Sequence, residues 1–105
     1  MKKKSSRRAK ALDIDKKTKE RVWERDGHRC ILCHNSVAMP NAHIIPRSAL
    51  GMGIEQNVVT LCFDCHRRYD QTPLRGAMMQ DIIDYIKQFY PDWDTEQVRY
   101  KKYKF

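Results

Sequence analysis

Apolar residues in the last third of the chain recur at helix spacing: Met79, Ile82, Ile83, Ile86 and Tyr90 interleave with Asp81, Asp84, Lys87 and Gln88. This period predicts an amphipathic helix against a core, stopped by Pro91, which cannot extend it. Asp94 or Thr95 can cap a second short helix near the C-terminus. The pattern differs upstream. NVVTL, residues 57–61, is a β-prone run, and a short helix is expected after it, from about 63 to 69. SVAM and AHII, within residues 36–45, are also β-prone, and the Pro40-Asn41 pair between them predicts a small hairpin. PRSALGMGIEQ, residues 46–56, contains Gly51 and Gly53 and reads as a loop, and TPLRG, residues 72–76, as a turn. Near the N-terminus, Asp13 or Asp15 can cap a helix running to about Arg25. Its Val22 and Trp23 would face inward, with Gly27 just past its end.

Length and composition limit what these elements can build. The chain has 105 residues, 41% apolar and 32% charged, which predicts one domain with a modest core. Residues 1–12 read as a basic tail, disordered on its own, and residues 13–105 as the domain. No apolar run approaches membrane-spanning length. The charged start, MKKKSSRRAK, leads into no apolar stretch. A secretory signal is therefore not expected, and the expected location is the cytoplasm of a bacterial host. The formal net charge of +8 predicts an acidic partner, and six basic residues lie in the first ten positions. Such an arm gains affinity for a polyanion by releasing counterions.

The four cysteines narrow the chemistry. They fall in two Cys-x-x-Cys-His pentapeptides, CILCH at Cys30 to His34 and CFDCH at Cys62 to His66. In a reducing compartment such pairs point to metal or thiol redox chemistry rather than disulfides. Tetrahedral zinc takes four thiolates, and each knuckle offers two adjacent corners, so Cys30, Cys33, Cys62 and Cys65 predict one structural Zn2+ site. Covalent haem attachment also uses this pentapeptide, but it follows export and needs axial ligands in a very small domain. A thioredoxin-like pair would need a βαβ setting, which neither copy has. Zinc held by four cysteines has no open position, so any catalysis must lie elsewhere.

The segment from Asn41 to Asp70, NAHIIPRSALGMGIEQNVVTLCFDCHRRYD, resembles the HNH endonucleases. His43, Asn57 and His66 match the three residues of the name. The surrounding pattern matches as well: His-Ile-x-Pro at His43 to Pro46, a Gly-containing loop, Asn-Val-Val-x-Leu-Cys at Asn57 to Cys62, then Cys-x-x-Cys-His. WERDGHRC, residues 23–30, is typical of small HNH proteins, and YPDWDTEQVRYKK resembles the tail of short phage and prophage members. The resemblance implies a small α+β fold: a zinc-stapled ββα-metal (His-Me finger) core at about 37–70, with flanking N- and C-terminal helices, the latter at about 76–104. It implies metal-dependent hydrolysis of DNA phosphodiesters, leaving 5′-phosphate and 3′-hydroxyl ends. Phage packaging proteins are among the implied partners.

The same resemblance distributes roles. His43 would be the general base, suited to it by an imidazole that titrates near neutrality. Asn57 would brace the loop bearing that base, and His66 would hold a catalytic divalent ion such as Mg2+ or Mn2+. Many members place Asp or His before the base as a second ligand, whereas this chain has Ala42. Asp70, one helical turn beyond His66, is the expected substitute ligand; the competing reading is a surface carboxylate paired with Arg67. Arg47, Arg67 and Arg68 flank the expected site as candidate phosphate contacts. His34 reads as peripheral to its knuckle or exposed, and His28 as a surface residue. In RYKKYKF, packing of Tyr100, Tyr103 or Phe105 on Trp93 is expected ahead of nucleic-acid contact. A non-catalytic zinc-stabilised DNA-binding module is the competing function, with Ala42 as the mark of a degenerate site.

Overall fold

The computed structural model describes residues 7–101. Helices α1 (Arg7–Leu12) and α2 (Lys16–Arg25) come first, followed by the first knuckle and strand β1 (Ala38–His43). Strand β2 (Val58–Cys62), helix α3 (Phe63–Gln71) and helix α4 (Arg75–Ile86) follow. Short 3-10 turns lie at Arg47–Ala49, Glu55–Asn57 and Thr95–Val98. The result is the expected small α+β domain with a two-stranded antiparallel sheet.

The hairpin is not the one expected within residues 36–45. Pro40-Asn41 lies inside β1, whose partner is β2. The register passes from Met39 opposite Leu61 to Ala42 opposite Val59, so β1 carries one extra residue across that interval. A bulge of this kind takes up a proline, which has no amide to donate to the ladder. All five residues of β2 are buried, which explains its continuous β-prone run.

Asp15 caps α2 through a 2.7 Å bond from the Thr18 amide, and Val22 on its inner face is fully buried. In α3, Cys65 and Tyr69 are one turn apart on the inner face, as Ile82 and Ile86 are in α4. Three boundaries differ from expectation. Arg7–Leu12 is helical rather than tail, because Leu12 is buried and its segment is bonded to the loop after β1. The start of the basic arm, with Lys2, Lys3 and Lys4, lies outside the described residues. Helix α4 ends at Ile86 rather than Pro91, and the second C-terminal element is a 3-10 turn capped by Asp94. The Trp93 indole Nε1 donates to the Gln56 carbonyl at 2.6 Å. Its expected partners Tyr103 and Phe105 lie outside the described residues.

A buried polar network ties α2 to the sheet and α4. The Asp26 carboxylate accepts from the Thr60 amide at 2.8 Å, the Tyr85 hydroxyl at 2.8 Å and Arg25 Nε at 2.8 Å. Arg25 donates onward to the Glu55 and Val58 carbonyls, both at 2.6 Å. Removing one partner of a buried ion pair leaves an uncompensated charge, at a cost of about 3–5 kcal/mol. Asp26→Ala is therefore expected to lower unfolding free energy in urea by about that much; a loss below about 1 kcal/mol would show the network to be dispensable.

Candidate active site and metal centre

The two knuckles meet. Metal-ligating atoms of Cys30, Cys33, Cys62 and Cys65 all lie within 4.8 Å of one another, with Cys33 Sγ 3.5 Å from Cys62 Sγ. Thiolates at about 2.3 Å from one tetrahedral ion stand roughly 3.8 Å apart, so the cluster fits a four-sulfur site. The turns are built alike. The Cys33 amide donates to Cys30 Sγ at 3.5 Å and the Cys65 amide to Cys62 Sγ at 3.4 Å. Burial pushes the Cys30 thiol up, but amide donors from Cys33, Cys62 and Leu32 outweigh it and bring it down to about 7. At Cys65 burial, with the Cys62 and Cys30 sulfurs beside it, drives the thiol far up. Four such sulfurs ionise together only around a cation, so the cysteines are positioned to bind a metal ion.

A cleft of about 440 Å³ is lined by His43, Pro46, Arg47, Ser48, His66, Asp70 and Arg75. His43 ends β1, and its Nε2 lies 2.8 Å from the Leu12 carbonyl, which can only accept. Nε2 therefore carries the proton in the neutral ring, leaving Nδ1 as its one proton acceptor. Burial is the main cause that holds the His43 pKa below its ordinary value, with Arg47 acting in the same direction. Burial thus favours the neutral ring.

His66 lies one turn into α3, and its Nε2 stands 3.0 Å from Asp70 Oδ2. That distance is the one a His–carboxylate ion pair takes, and both groups are of a kind that can also hold a divalent cation. Asp70 pairs with His66 and, at 3.6 Å, with Arg75, rather than with Arg67. Ala42 is fully buried in the core.

Asn57 is fully buried and holds the loop after β1. Its Oδ1 accepts from the Ile45 amide at 2.9 Å, and its Nδ2 donates to the carbonyls of Ile45 at 3.1 Å and Met52 at 2.9 Å. That loop is clamped from both chain ends. The Gly53 amide donates to Ala11 and the Met52 amide to Val98. At Gly53 a Cβ would overlap the Asp13 carbonyl, and at Gly51 the Ile45 carbonyl, so neither position has room for a side chain.

Residues 30–72 match the HNH endonuclease family. The chain belongs to that family. A relative of similar sequence is Anaredoxin from Nostoc sp. (strain PCC 7120), 31% identical over 61 residues that span 57% of this chain and 80% of that protein.

Of the residues matched to the HNH pattern, the fold brings His43 and His66 to one cleft and sets Asn57 behind it. Arg47 lines the cleft, held by the Leu12 carbonyl and Asp13. Arg67 and Arg68 do not line it; both pair with Asp64, each at 3.1 Å. Helix α3 turns them away. His34 is exposed, and its left-handed backbone lets the chain leave the knuckle. His28 is exposed, stacked on Trp23 and bonded to Glu24.

Two participants escape a reading of the sequence. Arg75 sits in a turn-like TPLRG, but starts α4 with its guanidinium over the Tyr69 ring, donating to the Tyr69 and Ile44 carbonyls. Leu12 acts through its main chain, which no side-chain pattern reveals. Asn57→Ala would strand the Ile45 amide and two carbonyls, each a cost of about 1–3 kcal/mol. A urea midpoint lowered by the equivalent of about 3 kcal/mol is expected; an unshifted midpoint would show that the loop holds itself.

Proposed function

We propose that the protein is a metal-dependent DNA endonuclease whose fold is held by zinc at the four cysteines. The observation that carries this reading is the single cleft joining the His43 imidazole, the His66–Asp70 pair and two guanidinium groups. Phosphodiester hydrolysis needs a base for water, positive charge on the phosphate and in-line geometry. Each has a candidate in this cleft.

Arg47 and Arg75 hold the scissile phosphate by charge, in planar forks suited to its oxygens. His43 Nδ1 takes a proton from water as its oxygen forms a bond to phosphorus. The bond from phosphorus to the 3′ oxygen breaks, and that oxygen gains a proton from solvent, giving 5′-phosphate and 3′-hydroxyl ends. The Leu12 carbonyl keeps the His43 ring in the reactive tautomer. Asn57 holds the loop that carries Arg47. His66 and Asp70 would hold the catalytic cation, Mg2+ or Mn2+, and the chemistry it supplies when bound is charge neutralisation on the phosphate and leaving oxygen. The phage or mobile-element setting, with packaging partners and a bacterial cytoplasm, extends this proposal from the likeness of the C-terminal segment to short phage members.

Supercoiled plasmid incubated with Mn2+ or Mg2+ should be nicked by the wild-type protein and spared in EDTA. His43→Ala should lower the rate by about 100-fold or more, the usual worth of a general base. Asp70→Ala should remove metal-dependent nicking with zinc content unchanged. DNA binding without metal-dependent nicking by wild type would favour the non-catalytic module. The base works only when unprotonated, so the rate falls as pH drops through the His43 pKa. With that pKa below its ordinary value, the acid midpoint should lie under about 6.5; a midpoint above it would remove His43 from this role.

A further inference from the structure

The face beside the cleft carries three large apolar side chains in water: Val37 at 79%, Met39 at 60% and Phe63 at 83% exposure. They line one groove of about 380 Å³ together with Trp23, Leu61 and His66. Apolar side chains gathered in one patch mark a binding surface, unlike single exposed ones. His66 lines both this groove and the catalytic cleft, so the two share a wall. Phe63 precedes His66 by three residues on α3, which places both on neighbouring positions of one helix face. Their separation along the axis is about 4.5 Å, comparable with one base step of roughly 3.4 Å.

Cations and nucleic-acid geometry select the occupant. Lys16 and Lys19 border the adjoining cleft that Met39 and Trp23 also line, and neither enters an ion pair among the described residues. A phosphodiester in the catalytic cleft brings its flanking nucleotides across this face. Bases present apolar, stackable faces, and Phe and Met are among the side chains that open base steps as wedges.

We propose that Phe63, with Met39 and Val37, forms a wedge that enters duplex DNA beside the scissile phosphate and unstacks the adjacent base step. The partner is therefore a deformable duplex, and pyrimidine–purine steps, which unstack most easily, should be favoured. This rests on the nuclease reading only for where the phosphate sits; unstacking itself can be seen without cleavage.

The test uses the His43→Ala protein, checked for zinc content and circular dichroism, with a short duplex carrying 2-aminopurine at several steps. Base fluorescence should rise severalfold on binding. The rise should be lost in His43→Ala/Phe63→Ser and kept in His43→Ala/Phe63→Leu, while anisotropy shows all three bound. In the background that retains His43, Phe63→Ser should lower nicking about tenfold, with Val37→Ser and Met39→Ser having smaller effects. An equal fluorescence rise in His43→Ala and His43→Ala/Phe63→Ser, or wild-type nicking by Phe63→Ser, overturns the wedge. So does a wild-type dimer that Phe63→Ser dissociates with fluorescence unchanged, since the patch would then join two copies of this chain. A Phe63-dependent rise with no nicking by wild type would instead uphold the wedge and overturn the nuclease reading.

Discussion

The Cys62 sulfur does three things at once. Its residue ends β2, its Sγ caps α3 by accepting from the Cys65 amide, and it lies 3.5 Å from Cys33 Sγ in the four-cysteine cluster. The start of α3 is thereby fixed to the sheet on one side and to the first knuckle on the other. His66 and Asp70 follow at one-turn intervals, so their place beside His43 depends on that sulfur-centred joint. The four sulfurs are positioned to bind a metal ion, which would strengthen that joint when bound.

The identical pentapeptides separate on this basis. In CILCH the cysteines face the cluster and His34 is exposed. In CFDCH the same pattern continues into a helix, and the helical turn carries its His into the cleft. Helical continuation, not the motif, makes the difference. Opposite it, His43 depends on groups remote in sequence: a carbonyl from the N-terminal helix sets its tautomer, and Asn57 holds the loop that follows it.

Local features are readable from the sequence. The Asp15 cap, the inner face of α4, the β-prone run of β2 and the paired knuckles all depend on spacings of a few residues. Nonlocal ones are not. Pro40-Asn41 reads as a turn, yet β1 passes through it because pairing with a strand fifteen and more residues away outweighs the local preference. Residues 7–12 read as solvated by their charge, but the burial of Leu12 and bonding through main-chain groups order them. The Arg25–Asp26 network and Arg75 find their partners across 30 or so residues, where sequence carries no period to follow. Ala42 is readable as a departure. The pairing of Asp70 with His66 is readable from helical spacing alone.

Two metals in separate roles are the centre of this proposal, one among sulfurs and one between His66 and Asp70. Anomalous diffraction from crystals grown with zinc and soaked in manganese tests it most directly. A zinc-edge peak is expected among Cys30, Cys33, Cys62 and Cys65, and a manganese peak within ligand distance of both His66 Nε2 and Asp70. Manganese bound only elsewhere, or a cysteine cluster bridged by disulfides without metal, would contradict it.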